Sequence, residues 1–377
     1  MSDETFSPGL DGVSVAETRL SDIDGESGDL VVGGFPVEEL ATNATFEESY
    51  FLLLRDRLPT DDELAAFRAD LAGRHEIGDE VRAVLRRAAA DGKPAMDALR
   101  MGAAAATLGT DDGVPEEDAR RVVAAFPTIV ATYWRYRQGE DPVAPDEDLG
   151  HAANYLRMLT GEEPSEAAVR GLETYLNTVI DHGLNASTFT ARVVVSTESD
   201  VVSATTAAVG ALKGPLHGGA PGPVFDMLCE VHESGDSEGY VRGKLDAGER
   251  LMGFGHRVYR VRDPRAGVLS TAAERFYEER GESDFFETVR EFEDVAVDAL
   301  AEHKPERRLE TNVEFYTAAL LHGVGVPRDL FTATFAVARA GGWTAHCLEQ
   351  LDDNRLVRPG SRYVGATGRT WTAAENR

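Results

Sequence analysis

The sequence predicts a mainly α-helical fold, and three observations carry that prediction. Helix-start and helix-stop signals recur along nearly the whole chain, apolar residues return at helical spacing between them, and strand-like alternation is scarce. Thr60-Asp61-Asp62-Glu63 is the clearest start, a capping box in which Thr60 accepts from the Glu63 N–H while Glu63 reaches back. Leu64, Phe67 and Leu71 then share one face, and Gly73 is a suitable stop. The same reasoning places helices near 46–57, 79–91, 94–108, 115–138, 148–160, 164–182, 185–196 and 199–212. Further ones are expected near 221–233, 238–248, 265–280, 284–303, 311–323 and 328–350. Strand signals are confined to Gly9–Thr18, Gly28–Phe35 and an edge at Arg362–Val364.

A chain of 377 residues exceeds what one hydrophobic core usually serves, so two domains are expected. The net charge is −28, and only Lys93, Lys213, Lys244 and Lys304 are lysines. One reading is a surface adapted to molar salt, where screening acts over about 3 Å; the other is an ordinary acidic cytosolic protein. The coincidence of acid excess with lysine scarcity favours the first. Either way the charge argues against nucleic acid as a partner, because its phosphates would be repelled. No apolar run suits a membrane helix and the start, Met1-Ser2-Asp3-Glu4, has no secretion-signal character, so a cytoplasmic location is expected. Cys229 and Cys347 read as buried free thiols, and the scattered histidines give no metal-ligand spacing, so no metal is expected.

Two glycine-rich loops interrupt the helical pattern, Lys213–Gly222 and Leu251–Arg257, and each holds one histidine, His217 and His256. Glycine lets backbone approach a ligand closely. Arg257, Arg260, Arg262 and Arg265 follow His256 closely, an unusual basic cluster in so acidic a chain. Guanidinium groups match carboxylate and phosphate bidentately, so the cluster suits a polyanionic ligand, a solvated basic patch being the alternative. Arg339 interrupts the apolar run Phe335–Ala340, and a buried arginine there needs an anion, either a ligand or a structural carboxylate.

The segment Gly253-Phe254-Gly255-His256, followed by Asp263-Pro264-Arg265, resembles the signature of the citrate synthase family. Four further motifs are similar and arrive in the family's order: Asp181-His182-Gly183-Leu184-Asn185-Ala186-Ser187, Gly214-Pro215-Leu216-His217-Gly218-Gly219, Thr311-Asn312-Val313-Glu314-Phe315-Tyr316, and Ala338-Arg339-Ala340-Gly341-Gly342-Trp343. Asn354-Arg355-Leu356-Val357-Arg358-Pro359 completes a resemblance that covers nearly the whole chain.

The resemblance implies a two-domain helical homodimer, the larger domain comprising 1–213 and 322–377 and the smaller 214–321. It implies condensation of acetyl-CoA with oxaloacetate, without a tightly bound cofactor, followed by thioester hydrolysis. Glu314 would be the base, His217 the donor to the thioester carbonyl, and His256 the donor to the ketone. His182, Arg265, Arg339 and Arg358 would hold the substrate carboxylates, with Arg358 reaching across from the second subunit. Gly253, Phe254, Gly255 and Arg260 would contact coenzyme A.

Glu314 departs from the family pattern, which has aspartate there, and the extra methylene moves the base by about 1.5 Å; a displacement near 1 Å can cost about a hundredfold in rate. Three readings follow: a readjusted citrate synthase, a 2-methylcitrate synthase using propionyl-CoA, or a paralogue that binds ligands with little turnover. Gly360 stands in place of a second arginine, with Arg362 nearby. Pro221 follows the Gly-Gly-Ala motif where asparagine is usual.

Overall fold

The computed structural model describes residues 6–106, 113–218, 221–256, 258–281 and 283–376. Among these, sixteen α-helices dominate and the strands are short. The Thr60 capping box is present as expected, and Thr45 and Glu48 form a second one at the Phe46–Arg55 helix. Asp200 and Asp236 cap the Val201–Leu212 and Ser237–Asp246 helices through their carboxylates.

The helix Phe331–Asp352 lies at the centre. From Phe331 to Cys347 only Thr332 is not fully buried, and the helix packs against Pro115–Gln138, Ala186–Val195, Val201–Leu212 and Glu166–Val179. A helix apolar on every side is one surrounded on every side. Gly342 allows a close approach: a Cβ there would stand 2.4 Å from the Ile180 carbonyl oxygen and 2.7 Å from Asp181 Oδ1. A second group of helices, Pro221–Ser234, Ser237–Asp246, Pro264–Arg280, Ser283–His303 and Val313–Gly323, packs largely among itself around Phe276, Phe292, Phe315 and Tyr316. Burying each such aromatic contributes roughly 1.5–3 kcal/mol.

The strands differ most from expectation. Gly28–Phe35 is indeed extended, as Asp29–Val32 and Phe35–Pro36 joined by the left-handed Gly33-Gly34. Their antiparallel partner is Ser21–Asp24, with Ser21 opposite Val32 and Asp24 opposite Asp29. The alternating Gly9–Thr18 segment instead holds a 3-10 turn at Pro8–Leu10 and then irregular chain, and it pairs with no strand among the described residues. Arg362–Val364 forms no strand either; Tyr363 and Val364 stand out in solvent. Cys347 is buried as expected, but Cys229 is partly exposed, because its helix buries Val224, Leu228 and Val231 and turns Cys229 to the flank.

The hairpin Ser21–Val32 leans on the segment after His256. The Arg260 N–H donates to the Gly25 carbonyl at 2.8 Å, and a Cβ on Gly25 would stand 2.4 Å from the Val258 oxygen.

Candidate active site

The turn Ile180–Gly183 ends the Glu166–Val179 helix and carries His182. His182 is buried, and its Nε2 lies 3.1 Å from the Tyr259 hydroxyl. Its ring stands edge-on to His256, centroids 5.9 Å apart. Burial, and then the Arg265 and Arg339 charges, hold its pKa well below the usual histidine value, so the ring is neutral.

His256 is presented by a loop sewn to the chain that precedes Glu314. Gly255 N–H donates to the Glu310 carbonyl at 2.7 Å, Asn312 N–H to the Gly253 carbonyl at 2.9 Å, and the Asn312 side chain to the Gly255 carbonyl at 2.9 Å. Gly253 and Gly255 both have positive φ, 88° and 81°, which a side chain would strain. Phe254 turns into the core against Phe315. The His256 Nδ1 accepts from the Val258 and Tyr259 N–H groups, at 3.0 and 3.1 Å, leaving the ring proton on Nε2. Arg265 Nη2 lies 3.4 Å from that nitrogen. Two donors facing one space call for an acceptor between them. Burial, then Arg265, lowers the His256 pKa to about 4.

Asp263 organises the next corner. Its buried carboxylate caps the Pro264–Arg280 helix, takes the Arg265 Nε at 3.0 Å and Nη2 at 2.8 Å, and accepts from the Val313 N–H at 3.3 Å. That bond ties Arg265 to the start of the Val313–Gly323 helix, where Glu314 N–H donates to the capping Asn312. Glu314 Oε2 is buried without a hydrogen-bond partner. Burial raises the Glu314 pKa to about 7, with Arg265 and Arg339 opposing the rise and Asp263 adding to it.

Arg339 is buried, donates from Nε to the Val179 carbonyl at 2.7 Å, and lies over the Phe335 ring. Among the described residues no carboxylate stands within ion-pair distance of it, yet the buried Asp181 acts on its charge, so a structural carboxylate offsets that charge in part and leaves room for an anionic ligand. Burial lowers its pKa to about 10. Burial, and then the Arg339 charge, lowers the His217 pKa to about 4. Its Nε2 meets Ser187 Oγ at 2.8 Å, and Ser187 in turn accepts the Trp343 indole N–H at 3.0 Å.

His182, His256, Arg265 and Tyr259 are thus in direct contact, while His217 and Glu314 join them through the shared fields of Arg265 and Arg339. No hydrogen bond links Glu314 to either histidine among the described residues. Arg260 and Arg358 are exposed and do not reach this cluster within the chain; Arg257, Gly219 and Ala220 lie outside the described residues. Sequence reasoning missed Tyr259 and Ser187 as site residues, although both sit inside the motifs, and gave no site role to Trp343. No group of residues suited to a metal ion occurs among the described residues.

A family model for the C-terminal domain of citrate synthase matches residues 9–360. The chain belongs to the citrate synthase family. It is 45% identical over 379 residues to a citrate synthase of Haloferax volcanii, covering 98% of each protein. It is 37% identical over 375 residues to a 2-methylcitrate synthase of Shewanella oneidensis, covering 98% of this chain and 97% of that one. The solved ternary complex of the Thermoplasma acidophilum citrate synthase with carboxymethyl coenzyme A and oxaloacetate superposes with a TM-score of 0.88 at 30% identity, covering 98% of this chain and 99% of that one. The mainly helical architecture is that of the family, and the chain is an enzyme of the citrate synthase type. No helix among the described residues is long and apolar enough to cross a membrane.

Proposed function

We propose that this enzyme condenses acetyl-CoA with oxaloacetate and hydrolyses the product thioester to citrate and coenzyme A. The observation that carries the reading is Glu314: a carboxyl whose pKa stands at about 7, with a free buried oxygen, beside neutral imidazoles and two buried guanidinium groups. Such a carboxylate is poised to take a proton near neutral pH. It removes one from the thioester methyl, and His217 meets the enolate oxygen. In the assignment that supports this role, Trp343 donates to Ser187, Ser187 donates to His217 Nε2, and the ring proton on Nδ1 is left for the substrate. The enolate carbon attacks the ketone, whose oxygen is met by His256 Nε2–H. His182, Arg265 and Arg339 hold the carboxylates, and water then cleaves the thioester.

The small domain comprises 214–321 and the large one the remainder, and rotation of one on the other closes the site. Small-angle scattering that finds no compaction with oxaloacetate and a coenzyme A analogue would count against closure. Gly253, Phe254, Gly255 and Arg260 line the coenzyme A path, and no tightly bound cofactor takes part. Two copies form a homodimer in which Arg358 serves the partner's site; the tail's exposed Leu356, Tyr363, Val364 and Trp371 suit burial against a second copy. The protein works in the cytoplasm at high salt.

The 2-methylcitrate alternative is supported by the Shewanella relative. Coenzyme A thiol release, measured with oxaloacetate and either acetyl-CoA or propionyl-CoA in about 2 M KCl, a strongly screening medium, separates the readings. A large preference for propionyl-CoA selects 2-methylcitrate. Silence with both leaves a ligand-binding paralogue.

A further inference from the structure

We propose that His346, on the central helix, is a positioning residue for the oxo-acid subsite, fixing the His182 turn through Asp181. The inference rests on the proposed role of His182. Arg192 donates to His346 Nδ1 from Nε at 3.0 Å and from Nη2 at 2.8 Å. That nitrogen therefore carries the lone pair, and the proton lies on Nε2, which faces the two Asp181 oxygens at 3.2 and 3.3 Å. Asp181 also accepts the Ser21 hydroxyl, whose oxygen accepts the Gly183 N–H at 2.7 Å. His182 is thus gripped on both flanks, by the residue before it and the residue after it. Gly342 leaves the turn no slack from beneath.

His346, Asp181 and Arg192 are all essentially removed from water, so no solvent molecule substitutes for a lost bond. The outer end of the relay reaches the tail. Arg192 Nη1 donates to Gln350 Oε1 at 3.1 Å, and the Gln350 amide donates to the Arg355 carbonyl at 3.3 Å. Val357 N–H is held by Ser196 Oγ at 3.0 Å. One hydrogen-bonded line therefore joins the His182 turn to the segment that carries Arg358.

The test compares His346→Leu with His346→Gln in the full-length protein. A glutamine can accept from Arg192 with its oxygen and donate to Asp181 with its nitrogen; leucine can do neither. His346→Leu is expected to raise KM for oxaloacetate about tenfold, the equivalent of one buried hydrogen bond to a charged group, with KM for acetyl-CoA within about twofold. His346→Gln is expected to restore most of the loss. Glutamine performing as badly as leucine, both KM values moving together, or neither moving, would each overturn the proposal. Should His346→Leu fail to fold, Ser21→Ala removes the other grip on the turn and is expected to shift oxaloacetate KM in the same direction; no shift overturns it. If the unmodified protein releases no thiol, the condensing reading has failed by itself, and calorimetric Kd for oxaloacetate takes the place of KM with the same tenfold expectation.

Discussion

Glu314 offers the most direct perturbation. Its pKa stands at about 7 against an ordinary 4.5, because burial disfavours the carboxylate more than Arg265 and Arg339 favour it. The ionised fraction of such a group climbs from about one tenth at pH 6 to about nine tenths at pH 8, a pKa difference of one being a factor of ten. The kcat/KM for thiol release should therefore rise close to tenfold across that interval, along a single titration centred near pH 7. The same raised pKa means the fold loses stability as pH climbs from 4.5 towards 7, since the native state holds the proton longer than the unfolded chain. The two and a half pH units amount to about 3 kcal/mol. Glu314→Gln should lower kcat by a factor of about 10² to 10⁴, the usual share of a general base, while calorimetry finds oxaloacetate binding little changed. The substitution should also flatten the pH dependence of stability between 4.5 and 7 in guanidinium titrations. A wild-type rate flat from pH 6 to 8, or a glutamine variant with unchanged kcat, would show that the base lies elsewhere.

Gly342→Ala should raise KM for oxaloacetate and cost about 1–3 kcal/mol in denaturant titration, since its methyl would press on Ile180 and Asp181. The buried pair His75 and His151, 3.2 Å apart, predicts acid lability. Burial lowers the His75 pKa to about 4, so stability is complete above 6.5 and falls as pH drops towards 4, by about 3 kcal/mol in all; His75→Gln should blunt that fall in the same titration. Dilution from about 2 M to 0.1 M KCl lengthens the screening distance several-fold, and with a net charge of −28 the melting temperature should drop. A melting temperature indifferent to salt would remove the high-salt reading.

Helix starts were legible because caps are local: Thr60 and Glu63 need only each other. Strand Ser21–Asp24 was not, because its sequence, Ser-Asp-Ile-Asp, lacks β-branched density and its place is set by Val32 and by Asp181 far along the chain. The same distinction divides the site. Glycine-flanked His217 and His256 and the motif Glu314 announced themselves, whereas the Tyr259 hydroxyl acquires its partner only when the loop folds over His182. Arg339 was legible as a charge out of place in an apolar run. That the carboxylates acting on it, Asp181 and Glu314, stand beyond ion-pair distance is a fact of three-dimensional packing. Arg358 and Arg260, matched by motif alone, stay in solvent within one chain.

The hairpin Ser21–Val32 holds none of the residues assigned to chemistry, yet it touches the His182 turn through Ser21 and the stretch beyond His256 through Gly25. Nested deletions from the amino end would therefore give a misleading map. Trimming short of residue 20 should be tolerated, whereas cutting into the hairpin would abolish activity as abruptly as removing a reactive group, and an observer scoring only survivors would place the machinery in the wrong part of the polypeptide.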